Sequence, residues 1–115
     1  MQIVRVYSGG DGESHFQDMS RDELEAYLPK SGAGPITLHR LSSPSVNDFH
    51  PGPVNPQYLI FLAGIVEVEI GDGSIRRFDP GDILIAEDAI GHGHITRGMG
   101  SDPRVSFHVQ LPPEP

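Results

Sequence analysis

From Ile36 onward, apolar and polar positions alternate with the period of two that belongs to strands. Val66, Val68 and Ile70 fall on one face, while Glu67 and Glu69 fall on the other as a solvated pair. Gly71-Asp72-Gly73 closes that run as a hairpin turn, and Ser74 to Phe78 returns. Pro80-Gly81-Asp82 is the next turn and Ile83 to Ala86 the next strand. Tyr58 to Leu62 is a continuous apolar strand ending at Gly64, in which Gln57, Leu59 and Phe61 share a face. Ile36 to Leu41 alternates weakly, Ser42 to Pro44 is a turn, and Ser45 to Phe49 is a further strand. His92, His94 and Thr96 share one parity of a later strand. In Arg104 to Leu111, Val105, Phe107, Val109 and Leu111 form one face. Ser106, His108 and Gln110 form the other, which is either solvent or lumen, solvent being the simpler reading.

The N-terminal third is different. Ile3 to Tyr7 reads as a short strand closed by Gly9 to Gly12, with His15 at the surface in the loop that follows. Ser20-Arg21-Asp22-Glu23 has the form of a capping box, which predicts a helical turn or two through Tyr27 with Pro29 as the stop. Gly32 to Pro35 reads as a loop, and Pro51, Gly52, Pro53 and Pro56 as a stiff one, because proline fixes φ and donates no hydrogen bond. Pro112, Pro113 and Pro115 end the pattern. Roughly eight short strands with a turn every ten residues or so predict an all-β sandwich or barrel carrying at most one short N-terminal helix. Closure removes the exposed edges that invite aggregation.

Composition narrows this further. A chain of 115 residues without repeat or internal boundary is expected to form one domain over 1–115, with the barrel over about 36–111. Gly 14 and Pro 11 suit many tight turns rather than helices. The net charge of −8 excludes nucleic acid and anionic membrane surfaces as expected partners, since the eight Lys and Arg are scattered. Cysteine is absent, which removes disulfide and thiolate chemistry. No apolar run approaches the ~20 residues that span a bilayer. Met1 to Arg5 lacks a signal-peptide apolar region, so a soluble cytoplasmic protein is the expectation.

The stretch from His50 to Arg97 resembles the two motifs of the cupin superfamily. His50, Gly52, Gln57 and Gly64 stand at the spacing of the first motif, with Gly52 where the second histidine belongs and Gln57 where the glutamate belongs. Pro80-Gly81-Asp82 and the strand after it look like the opening of the second motif. His92 sits at the expected distance from Gly81, and His94 fits with two extra residues in the connecting turn. Gly91-His92-Gly93-His94 is also similar to a segment of small single-domain cupins, which favours His94 as the motif histidine. The likeness covers about half the chain and speaks for the fold, since this fold hosts many activities.

The resemblance implies a double-stranded β-helix, the jelly-roll cupin barrel, with a divalent metal held in its mouth. The ligands it implies are His50, Gln57 and His94, with His92 as the other histidine, and the metal would be Zn, Fe, Ni or Mn. Glu87 or Asp88, in the turn, would supply the missing carboxylate if either pointed inward. Tyr58, Leu59, Phe61 and His108 are the expected pocket residues, and His39 has no assigned place. Two function classes follow. One is a metal-dependent enzyme acting on a small organic acid, with His92 or a lumen tyrosine as proton carrier. The other is a metal-free module that binds a small molecule, motivated by the two replaced ligands. A homodimer is expected in both, because small cupins pair and because Leu59-Ile60-Phe61-Leu62 is apolar on both faces.

Overall fold

The computed structural model describes residues 1–27, 36–52 and 56–111. The expected stop at Pro29, the loop Gly32 to Pro35, Pro53, and the terminal Pro112, Pro113 and Pro115 lie outside them. In chain order the elements are β1 (Ile3–Ser8), β2 (Ser14–Asp18), α1 (Arg21–Tyr27), β3 (Ile36–Leu41), β4 (Ser45–His50), β5 (Gln57–Ala63), β6 (Ile65–Glu69), β7 (Ile75–Phe78), β8 (Ile83–Glu87), β9 (His94–Met99) and β10 (Arg104–Gln110). They form a six-stranded sheet ordered β2-β1-β8-β5-β10-β3 and a four-stranded sheet ordered β4-β9-β6-β7. Among the described residues the fold is an all-β jelly-roll barrel with one short helix.

The alternation read from the sequence sets which side chains lie between the sheets. Val4, Val6, Phe61, Val66, Val68, Phe78 and Leu84 make the buried core, and Phe61 stacks on Phe78 at 5.1 Å. Phe78 and Val68 exclude water almost completely, so each contributes about 1.5–3 kcal/mol of transfer free energy. The capping box forms as expected: Ser20 Oγ accepts from Glu23 N, and Glu23 Oε1 accepts from Ser20 N, both at 3.1 Å. Helix α1 lays Leu24 and Tyr27 on a second cluster of Tyr58, Ile85 and Leu111, on the outside of the large sheet.

Three local readings change. His15 is not in a loop: it lies on β2, which pairs antiparallel with β1, opposite Tyr7. The run of apolar residues there is too short to signal a strand, and the pairing with β1 creates it. On β10 the apolar parity faces outward and the polar parity faces the lumen, so the simpler solvent reading of Ser106 and His108 gives way to the lumen one. Phe107 is consequently 38% exposed, beside Leu38 and Ile36 of the edge strand β3. The outer face of the β5 run, which motivated a homodimer, is covered in part by α1 through Tyr58. Leu62 on that face stays exposed, and further exposed apolar residues, Ile36, Leu38 and Phe107, lie beside it on β3 and β10.

Two turn motifs have clear physical causes. Asp82 accepts from Gln2 N at 2.8 Å and from Asp79 N at 2.9 Å, so the Pro80-Gly81-Asp82 turn also fixes the entry of β1. Gly64 joins β5 to β6 at φ 78°, where a Cβ would stand 2.7 Å from Pro103 O and 2.8 Å from Arg104 Cα. Gly73 has a similar φ of 86° but open space around it. Gly73→Ala should therefore cost only the left-handed backbone penalty, about 1–2 kcal/mol. Gly64→Ala should cost clearly more, because backbone must also move. Urea unfolding of the two variants measures this, and equal losses would contradict it.

Candidate functional site

A cavity of about 300 Å³ lies between the sheets and opens at one end. Leu59, Phe61, Val66, Val68, Leu84 and Ala86 form its floor. Its polar wall comes from four of the six histidines, His39, His50, His94 and His108, together with Asn47, Gln57, Thr96, Arg104 and Ser106. No Asp or Glu lines it among the described residues, although the chain as a whole carries −8.

His50 and His94 are register partners across β4 and β9, with ring centroids 4.7 Å apart at 61°. Each has its Nδ1 engaged. His50 Nδ1 is 2.7 Å from the Asp48 carbonyl oxygen, which can only accept, so Nδ1 carries the proton. His94 Nδ1 is 2.6 Å from Asp88 Oδ2, and that oxygen also accepts from Ser14 Oγ at 2.6 Å. In its neutral form each ring therefore keeps Nε2 as a lone-pair donor. Asn47 Nδ2 stands 3.5 Å from His50 Nε2, a contact too long to hold it strongly.

Asp88 is fully buried and sits behind His94 rather than in the lumen. Its carbonyl oxygen accepts from Gly52 N at 2.8 Å. Asp88 Oδ1 occupies the space that a Cβ at position 52 would need. The glycine in place of the second motif histidine is thus a steric requirement of this carboxylate. Glu87 turns outward to Arg5 and Tyr27. Neither acid enters the cavity as a ligand: Asp88 orients a histidine, and Glu87 belongs to the outer surface.

Gln57, Leu59, Phe61 and His108 stand on the cavity wall with His50 and His94. His92 and Tyr58 do not. Gly91 and Gly93, at φ 94° and 79°, break the strand before β9, so the two-residue parity linking His92 to His94 does not operate. His92 faces outward, stacked on Phe49 at 3.9 Å and 3.3 Å from Glu13 Oε2. Tyr58 has the opposite parity from Gln57 and packs under α1, where burial and the neighbouring Tyr27 push its hydroxyl up to about 12.

Two residues escaped the motif reading. His39 stacks on His108 at 3.7 Å and 17° across β3 and β10. Arg104 lies on the same strand parity as Ser106 and His108, and that parity was the signal available for it. Its Nε is shielded from water without a hydrogen-bond partner among the described residues. Burial holds the guanidinium below its ordinary value. The Ser43 and Ser45 hydroxyls are likewise buried and unpartnered. Gly98 draws these groups together, since a Cβ there would be 2.7 Å from each serine Oγ and 3.4 Å from Arg104 Cδ.

No family model matches the sequence, and no curated protein matches it. Among solved structures, the chain is similar to protein NMB1881 from Neisseria meningitidis, with a TM-score of 0.51 and 11% identity, covering 84% of this chain and 100% of that one. A proposed ethanolamine utilization protein Q from Salmonella typhimurium also aligns, with a TM-score of 0.42 and 17% identity over 99% of this chain and 98% of that one. At such identity the first likeness concerns the fold alone.

The histidine wall has a pH signature. Burial, helped by the positive charge of His39 and Arg104, pushes the His108 imidazole down to about 4. The unfolded chain takes up that proton near the ordinary value of about 6.5, and the folded chain only near 4. The contribution is therefore complete above about pH 6.5 and is lost as pH falls toward 4. Screening at the open mouth reduces it to about 1–2 kcal/mol. Urea unfolding at about pH 7 and about pH 4.5 should show a smaller acid loss for His108→Gln than for the parent. An identical loss in both would contradict the assignment.

Proposed function

We propose that this is a small cupin-type protein that binds a small organic molecule in the barrel cavity, with His50 and His94 able to hold a divalent transition metal at its polar side. The observation carrying this reading is the paired anchoring of the two rings. A histidine that ligates a metal through Nε2 ordinarily donates its Nδ1–H to a carbonyl or carboxylate, and His50 and His94 do so to Asp48 and Asp88. Gln57, on the same wall, adds an amide oxygen. Two imidazoles and an amide suit Zn, Ni, Fe or Mn as a weak site, because no lumen carboxylate offsets the ion's charge. Bound there, the ion would supply Lewis acidity toward the ligand.

A second reading is favoured by Gly52. The backing carboxylate of Asp88 takes the room of a further ligand, and the same barrel then serves as a metal-free binding module or sensor. The chain's own residues do the same work in both readings: the floor holds an apolar body, and the His50–His94 side receives a polar group or a proton. Chelator-stripped protein titrated with zinc, nickel, iron(II) and manganese should take up one ion per chain. His50→Ala and His94→Ala should each weaken uptake by about tenfold or more. Failure of all four metals to bind leaves the metal-free reading, and uptake unaffected by either substitution removes the histidine site.

A further inference from the structure

We propose that Arg104, with the Ser43 and Ser45 hydroxyls beside it, is the anion-recognition end of the cavity and takes the carboxylate of a small monocarboxylic acid whose apolar body lies on the Leu59–Phe61 floor. The inference rests on the ligand-binding reading of the barrel and names the ligand's chemistry.

A buried cation without a partner costs free energy, and native proteins ordinarily pair such groups. Arg104 Nε, Ser43 Oγ and Ser45 Oγ are all shielded from water, and none has a hydrogen-bond partner among the described residues. Arg104 forms no ion pair there, although the chain has twice as many Asp and Glu, 16, as Lys and Arg, 8. Of the other guanidiniums on strands, Arg5 pairs with Glu87, Arg76 with Asp18, Arg77 with Asp79 and Arg97 with Glu69, while Arg40 is exposed to water. Arg104 therefore stands on the wall of a cavity without a carboxylate, backed by two serine hydroxyls that lie behind that wall, and no anion pairs with it among the described residues. A guanidinium so placed is complementary to an anion brought by the ligand.

The charge and shape of the site select the class. One guanidinium offers a planar fork and a single positive charge, which a carboxylate matches and a phosphate dianion exceeds. Leu59, Phe61, Val66, Val68 and Leu84 give the ligand's body an apolar floor to pack on. The cavity volume of about 300 Å³ stands at the small end of ligand sites. A compact acid with an aromatic or branched aliphatic body fits these limits.

The test compares benzoate with its neutral isostere benzamide, and isobutyrate with isobutyramide, on the chelator-stripped full chain followed by amide chemical shifts. Each acid should bind at least about tenfold more tightly than its amide, as expected for hydrogen bonds to a charged group. Arg104→Met should bring acid and amide within about twofold while leaving the amide's affinity in place. The same substitution should raise the melting temperature of the ligand-free protein, because it removes a half-buried charge whose Nε has no partner among the described residues. A merely structural arginine would lower it. Cavity amides that shift equally for acid and amide in the parent protein overturn the anion site and leave the ligand cavity standing. No shift of cavity amides with any of the four probes overturns the ligand cavity as well.

Discussion

One buried carboxylate joins the parts of the site. Asp88 follows β8 in the large sheet, and its Oδ2 accepts from Ser14 of β2 in that sheet and from His94 of β9 in the small one. Its main-chain carbonyl receives Gly52 N from the segment after β4. A carboxylate with no water contact is tolerable only when hydrogen-bonded, so its two donors cannot be given up cheaply. Pairing Asp88 Oδ2 thus ties the two sheets together beside the cavity and aims the His94 ring in the same act. The register of β4 with β9 then brings His50 opposite His94.

Much of this architecture could be read from the order of residues. The strands with clean alternation, β6 and β8 above all, lie close to where the pattern puts them, and the Ser20–Glu23 box starts its helix. The pairing of Gln57, Leu59 and Phe61 on one face is what sets the cavity wall. Legibility ended where geometry depends on a contact far away in sequence. β2 exists because β1 pairs with it, and its own sequence offers only a few apolar positions. His92 and His94 look equivalent by spacing, and two positive-φ glycines separate them. Asp88 reads as a turn acid, and only the tertiary packing buries it behind a histidine.

The inversion of β10 illustrates the same limit. Val105, Phe107 and Val109 look like a core face, yet the core of a barrel is the side that closes, and here that side carries Arg104, Ser106 and His108. The outer face keeps its apolar residues partly covered, through Val109 against the helix cluster, and partly bare, through Phe107. A polar lumen over an apolar floor is what a small-ligand site requires, and it is purchased with buried polar groups that lack partners in the protein itself. Three of them gather around Arg104, while beside His94 the Asp88 Oδ2 has two donors and its Oδ1 has none among the described residues.

The site depends on His50 and His94 each holding a proton on Nδ1, which leaves Nε2 free for a ligand. Long-range 1H–15N correlation of the imidazole rings at about pH 8, above the ordinary range of histidine titration, measures this directly. The Nδ1–H tautomer is expected for both rings. Nε2–H tautomers at these two positions, with Nδ1 as the acceptor, would contradict it.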